Sequence, residues 1–145
     1  MNKGNLVISS NDATIWIDTD PLATCTKASG KLTKETEEEK FVGDSKTYRR
    51  SKGYKIEGSI TVKKVDTYLA GKVADAIKAN EELDSKIIVK QAAPGGGVER
   101  IALYGVDISE LNLFNLEASG TVEQEFPYTA TDFEYLDRIP KVEIQ

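Results

Sequence analysis

The sequence predicts a mainly β protein, a β-sandwich or partly closed barrel of about seven to eight antiparallel strands with one packed α-helix. Three observations carry that expectation. From Tyr54 to Lys63 (YKIEGSITVK), Tyr54, Ile56, Gly58, Ile60 and Val62 fall on one parity, and Lys55, Glu57, Ser59, Thr61 and Lys63 on the other. That is the period of a strand with one buried and one wet face. From Val65 to Asn80 the period changes: Val65, Leu69, Val73, Ala76 and Ile77 recur at helical spacing, with Asp66, Lys72, Asp75 and Lys78 opposite them. No other stretch supports a long helix.

The remaining elements follow in chain order. Ala13–Asp18 (ATIWID) is a short strand with Ala13, Ile15 and Ile17 on one face, and Pro21 interrupts it. Residues 30–42 (GKLTKETEEEKFV) hold almost no apolar side chain before Phe41. They read either as a solvated edge strand or hairpin arm, or as a face that an assembly covers or that lines an acidic channel. Residues 43–53 (GDSKTYRRSKG) place Lys46, Arg49, Arg50 and Lys52 between two glycines. An exposed loop, an arm that docks on an acidic neighbour, and a nucleic-acid loop with Tyr48 for stacking all remain open there. Asp66 and Thr67 can cap the helix start, and Asn80 can end its last turn.

Lys86–Gln91 is the next strand, and Pro94-Gly95-Gly96-Gly97 is a turn without the Lys-Ser/Thr ending of a phosphate loop. Glu99–Ile108 returns as a strand whose phase slips near Gly105, which suits a bulge or bend. Leu111–Leu116 reads as a short apolar strand. Ala118–Ala130 alternates, with Val122, Phe126 and Tyr128 on one side and Thr121, Glu123, Glu125 and Thr129 on the other. Phe133, Tyr135 and Leu136 form a closing patch against the core, and residues 137–145 form a loosely held tail.

The 145 residues suit one domain, 1–145, with its own core. The formal charge of −5 argues against nucleic acid as a tight partner. A single cysteine, Cys25, cannot form an internal disulfide. The N-terminus does not read as a signal peptide and no run is long enough for a membrane span, so no membrane anchor is expected and the default compartment is the cytoplasm. The chain has no histidine. That removes the commonest general base and the usual triad, and it leaves Cys25 without an activating partner. The carboxylates of Glu37-Glu38-Glu39, or of Glu123 and Glu125, lack the apolar surroundings that would raise one pKa for acid catalysis. No enzyme, no metal site and no cofactor is expected.

Five segments, in order, carry a family likeness: Thr14–Asp18, an aromatic residue entering a turn; Phe41–Gly43 with the basic loop and Gly53–Gly58; Gly58–Val65, a strand feeding the helix; Glu99–Val106; and Glu125–Thr129 with Asp132-Phe133. Together they resemble the inner tail tube protein of contractile bacteriophage tails, in the branch that includes defective prophage and bacteriocin particles of Gram-positive bacteria. The acidic stretch 30–40 and the C-terminal extension 140–145 depart from that pattern.

The resemblance implies hexameric rings stacked into a tube inside a sheath, above a baseplate. Strands of six subunits would join in one inner barrel, the helix would lie outside, and a long hairpin would reach the adjacent ring. DNA would pass through the lumen without specific binding if the particle is a phage, and assembly would take place in the bacterial cytoplasm. On that basis Lys46, Tyr48, Arg49, Arg50 and Lys52, in an arm at about 43–55, are expected to contact the next ring. Glu35, Glu37, Glu123 and Glu125 are candidates for the lumen wall. The competing expectation is a stand-alone β-sandwich binding module for nucleic acid or carbohydrate.

Overall fold

A computed structural model describes residues 3–118 and 120–143. After two short 3₁₀ turns, eight strands and one helix follow: β1 Ala13–Ile17, β2 Asp20–Pro21, β3 Cys25–Lys40, β4 Thr47–Lys63, α1 Tyr68–Lys78, β5 Ser85–Ala92, β6 Val98–Val106, β7 Glu123–Ala130 and β8 Asp132–Asp137. They form a five-stranded sheet in the order β2-β1-β5-β6-β8 and a three-stranded sheet in the order β3-β4-β7. All pairings are antiparallel, and neither sheet closes into a barrel.

The core draws on both sheets and the helix. Ile17, Ile87, Leu103 and Val106 come from the larger sheet, Ile56, Ile60, Phe126 and Tyr128 from the smaller, and Leu69, Ala70 and Val73 from α1. The alternation of β4 is realised from Ile56 onward, where Ile56 and Ile60 are buried, whereas Tyr54 lies exposed beyond the core edge. Burying a side chain such as Ile60 or Phe126 contributes about 1.5–3 kcal/mol, so this cluster is what holds the two sheets together.

The helix is shorter than its pattern. It starts at Tyr68, after Thr67, and Val65 stays exposed outside it. The Tyr68 N–H is satisfied by Asp66 rather than by Thr67 (3.2 Å to Oδ1). Asn80 takes a left-handed conformation just past the last turn (φ 57°), as asparagine does at helix ends.

Gly105 marks a real register slip. Between Leu103 and Val106 strand β6 carries one residue more than β5 does between Ile87 and Ser85. Gly105 sits there at φ 62°, with Thr131 packed where a Cβ would project.

Several expectations need correction. Pro21 does not merely interrupt β1; with Asp20 it forms β2, which pairs with Trp16 and Ile17. Leu111–Leu116 is not a strand. It runs without a ladder partner, and the Gln124 side chain donates instead to the Asn112 carbonyl (3.4 Å). The strand expected over 118–130 begins only at Glu123, because its partner β4 ends at Lys63, the residue opposite Glu123. Phe133, Tyr135 and Leu136 do not form only a patch: they belong to an eighth strand paired with β6, and Phe133 alone of the three packs on the core. Past Asp137 the described residues form no regular element, and the last two of the expected tail, 144 and 145, lie outside the described residues.

Candidate functional site

The residues singled out between 30 and 55 meet in one hairpin. β3 and β4 pair from Cys25↔Val62 out to Lys40↔Thr47. The last pair seated on the core is Leu32↔Ile56; the remaining eight steps of β3 carry the hairpin about 26 Å further at roughly 3.3 Å per residue. Residues 41–46 turn the chain, and the segment from Thr47 that looked like a basic loop is the first half of β4.

This outer half is held by charge. Glu37 lies opposite Arg50 and Glu38 opposite Arg49. Arg50 stands 3.4 Å from both Glu37 and Glu39, and Arg49 3.8 Å from Glu38. The acidic run and the basic run, which read as separate features of the chain, neutralise each other across the ladder. All these side chains are largely exposed, so each pair contributes only about 0.2–1 kcal/mol. The ion pairs among the described residues include neither Lys46 nor Lys52.

At the tip Asp44 accepts hydrogen bonds from the Lys46 N–H (2.9 Å) and the Tyr48 hydroxyl (2.6 Å). The Tyr48 bond first, then the Lys46 N–H, holds the Asp44 carboxyl below its usual range, and the same contact raises the Tyr48 phenol. The Tyr48 ring meets Phe41 edge-on, with centroids 5.7 Å apart. Phe41 and Val42 are exposed. The tip is therefore apolar, on a stalk that is charged but self-neutralised.

The expected lumen residues fall in two places. By register and alternation, Glu123 and Glu125 of β7 point to the face of the three-stranded sheet turned away from the core, together with Glu57, Lys27, Lys31 and Lys63. Glu35 and Glu37 lie past the Ile56↔Ala130 end of β7, on the two-stranded outer half of the hairpin, where Glu37 faces Arg50. The outer face of the sheet is polar and of mixed sign. Among the described residues no group of three carboxylate or thiol side chains is placed to hold a metal ion, and no helix is long and apolar enough to cross a membrane.

Two anchors were not singled out from the sequence. Tyr128, on β7, spans Gly58 on β4 and donates its hydroxyl to the Ser29 carbonyl on β3 (2.7 Å), tying all three strands together. Burial raises its phenol pKa. A Cβ at Gly58 would stand 2.7 Å from that hydroxyl and would overlap the Ser29 carbonyl oxygen. The available signal was a glycine on the inward parity between Ile56 and Ile60.

The second anchor is Asp18, at φ 53° just after β1. It accepts from Lys72 Nζ of the helix (2.6 Å), from the Lys86 N–H (3.1 Å) and from the Ser85 hydroxyl (3.3 Å). Partial burial works to raise its pKa, but the bond from Lys72 and then those from Lys86 and Ser85 hold it below the usual range. Its bond in turn raises Lys72. Nothing in the local sequence links these residues, which the fold alone brings together.

The described residues form an open two-sheet domain with one helix on its core and a projecting hairpin. The chain belongs to the phage tail tube protein family, which it matches over residues 2–137. It is thus a component of a phage tail or phage-like particle. Across 140 residues it is 23% identical to the uncharacterized protein YqbM of Bacillus subtilis (strain 168) and 22% identical to the phage-like element PBSX protein XkdM of the same organism. Each match covers 94% of this chain and 95% of the relative. In fold it is similar to a subunit of the anti-feeding prophage cap, which terminates that particle's tube (TM-score 0.74, 13% identity, 91% of this chain and 92% of that one). It is also similar to a chain of the extended sheath–tube complex of the PVC extracellular contractile injection system (TM-score 0.71, 13% identity, 91% and 93%).

Proposed function

We propose that this chain forms hexameric rings that stack into the inner tube of a contractile tail or phage-like particle, the conduit through the target envelope. The observation that carries this reading is the edge of β3. Sixteen residues long, it pairs with β4 on one side and, among the described residues, with no strand on the other. A long bare edge is an aggregation hazard in a monomer. In a ring of copies it becomes the pairing surface, and closed symmetry uses every edge once.

In this reading the outer face of the three-stranded sheet lines the bore. Glu123 and Glu125 share it with Glu57, Lys27, Lys31 and Lys63, and Glu35 and Glu37 extend it along the hairpin, so the wall offers phosphate neither strong attraction nor strong repulsion, and DNA slides without being held. The hairpin, residues 43–55 with the facing end of β3, reaches the next ring. Arg49 and Arg50 stiffen it from within, and Phe41, Val42, Tyr48, Lys46 and Lys52 at or near its end make the contact. α1 lies outside, toward a sheath, and a baseplate starts growth. Assembly takes place in the bacterial cytoplasm.

Negative-stain electron microscopy of the concentrated protein, alone and with the neighbouring tail gene products, tests the reading. Stacked rings with a central hole are expected. Monomers in the presence of those partners would remove it, and a gel shift at low and moderate salt would then test the nucleic-acid module.

A further inference from the structure

The three-stranded sheet ends in two complementary apolar features, one beside each outer strand. Under β3 the sandwich is not filled. A groove of about 610 Å³ lies between β3 and β1, lined by Ala13, Ile15, Leu22, Cys25, Ala28 and Val89. It continues, past shared walls at Ile15, Ala28 and Val89, into a recess of about 280 Å³ beneath Leu32. Ala28 and Leu32 alternate onto the core side of the sheet yet remain exposed, where they border the groove and the recess.

At the opposite end, the irregular segment Leu111–Leu116 runs beside β7, tied by the Gln124–Asn112 bond. It presents Leu113, Phe114 and Leu116 at 72%, 75% and 70% exposure. Single exposed apolar residues are ordinary, but three within four positions form a patch that marks a contact.

We propose that Leu113, Phe114 and Leu116 of one copy fill the groove under β3 of the next copy in the ring. The proposal rests on the tube reading and gives it a subunit contact. The occupant is a second copy for two reasons. Donor and acceptor sit at opposite ends of one sheet, as a head-to-tail ring contact requires. Their rims are of opposite charge: Glu110 and Glu117 flank the apolar run, whereas Lys27 borders the groove and Lys31 the recess. The groove also lies within the range of about 300–1,000 Å³ typical of pockets that enclose several apolar groups.

Cys25, the chain's one cysteine, lines the groove and makes the contact directly testable. Under mild oxidation, assembled Leu113→Cys protein should give a ladder of covalent oligomers on a denaturing gel, and the same variant with Cys25→Ser should give none. Phe114→Asp should abolish rings and tubes in the presence of the tail partners while leaving the unfolding midpoint unchanged, since Phe114 touches little of its own core. Wild-type tubes together with normal Phe114→Asp tubes would overturn the inference and leave the tube reading standing. Phe114→Asp tubes that form but fail to recruit sheath would assign the segment to the sheath and also overturn it. Wild-type protein that forms neither rings nor tubes with its partners would remove both.

Discussion

The two halves of the β3–β4 hairpin are built from the same ladder by different physics. The inner half, from Cys25↔Val62 to Leu32↔Ile56, has Ile56 and Ile60 in the core and Tyr128 clasping it across Gly58. The outer half, from Leu32 to Lys40, has no core of its own and is held by ladder hydrogen bonds, by exposed Arg–Glu pairs and, at its base, by the Tyr54 hydroxyl on Asp132 with the Tyr54 ring edge-on to Phe133. A two-stranded hairpin alone in water is marginal. The outer half is thus the marginal part of the ladder, whereas the inner half is anchored by the core.

Substitutions can break or sharpen that contrast. The largest effect on the monomer is expected at the clasp. Gly58→Ala forces a methyl group against the Ser29 carbonyl and the Tyr128 hydroxyl, and overpacking of this kind costs about 1–3 kcal/mol. Urea unfolding should show the midpoint fall; an unchanged midpoint would mean that the inner half is not held by that close approach. Tyr128→Phe removes one hydrogen bond to a backbone carbonyl and should cost about 1 kcal/mol by the same assay.

A pH-dependent effect is expected from Asp18, which anchors the inner domain. Its folded pKa lies below the ordinary aspartate value. A depressed carboxyl contributes stability above the unfolded pKa and loses it as pH falls through the folded one. Wild-type stability should therefore decline below about pH 4, and Asp18→Asn should flatten that limb in a pH series of thermal midpoints. Because Asp18 and Lys72 are both about one-third exposed, solvent screening keeps the effect modest.

The smallest effect on the monomer is expected in the outer half. Arg49→Glu with Arg50→Glu places like charges across the ladder, yet the exposed pairs contribute so little that the free energy of unfolding should fall by less than about 2 kcal/mol in all. The same variant should stop tube growth, because the arm splays. Normal tubes from it would show that the outer half needs no prior order. A large loss of monomer stability would show instead that the two halves are one cooperative unit.

Much of the fold was legible in the chain. Alternation placed β6 and the second half of β4, whose first half read as a loop, an apolar run placed β5, helical spacing placed α1, and a phase slip placed the bulge at Gly105. These are local signals, set by which face of a strand or helix meets water. Errors fell where a strand depends on its partner. Leu111–Leu116 has strand-like letters but no neighbour to pair with, and β7 starts late because β4 stops. The charged runs 35–39 and 46–52 were each visible, but their mutual neutralisation was not, because it depends on which residue faces which across a turn.

The sequence by itself determined the class: a mostly β domain with one helix and no histidine for the usual catalysis. Only the tertiary structure decided that Arg49 and Arg50 face Glu38, Glu37 and Glu39, that Tyr128 reaches Ser29 over Gly58, and that a groove opens beneath β3. The physical reason is range. Alternation and helical period are properties of neighbouring residues, whereas ion pairs, clasps and unfilled grooves exist only once segments distant along the chain share a register.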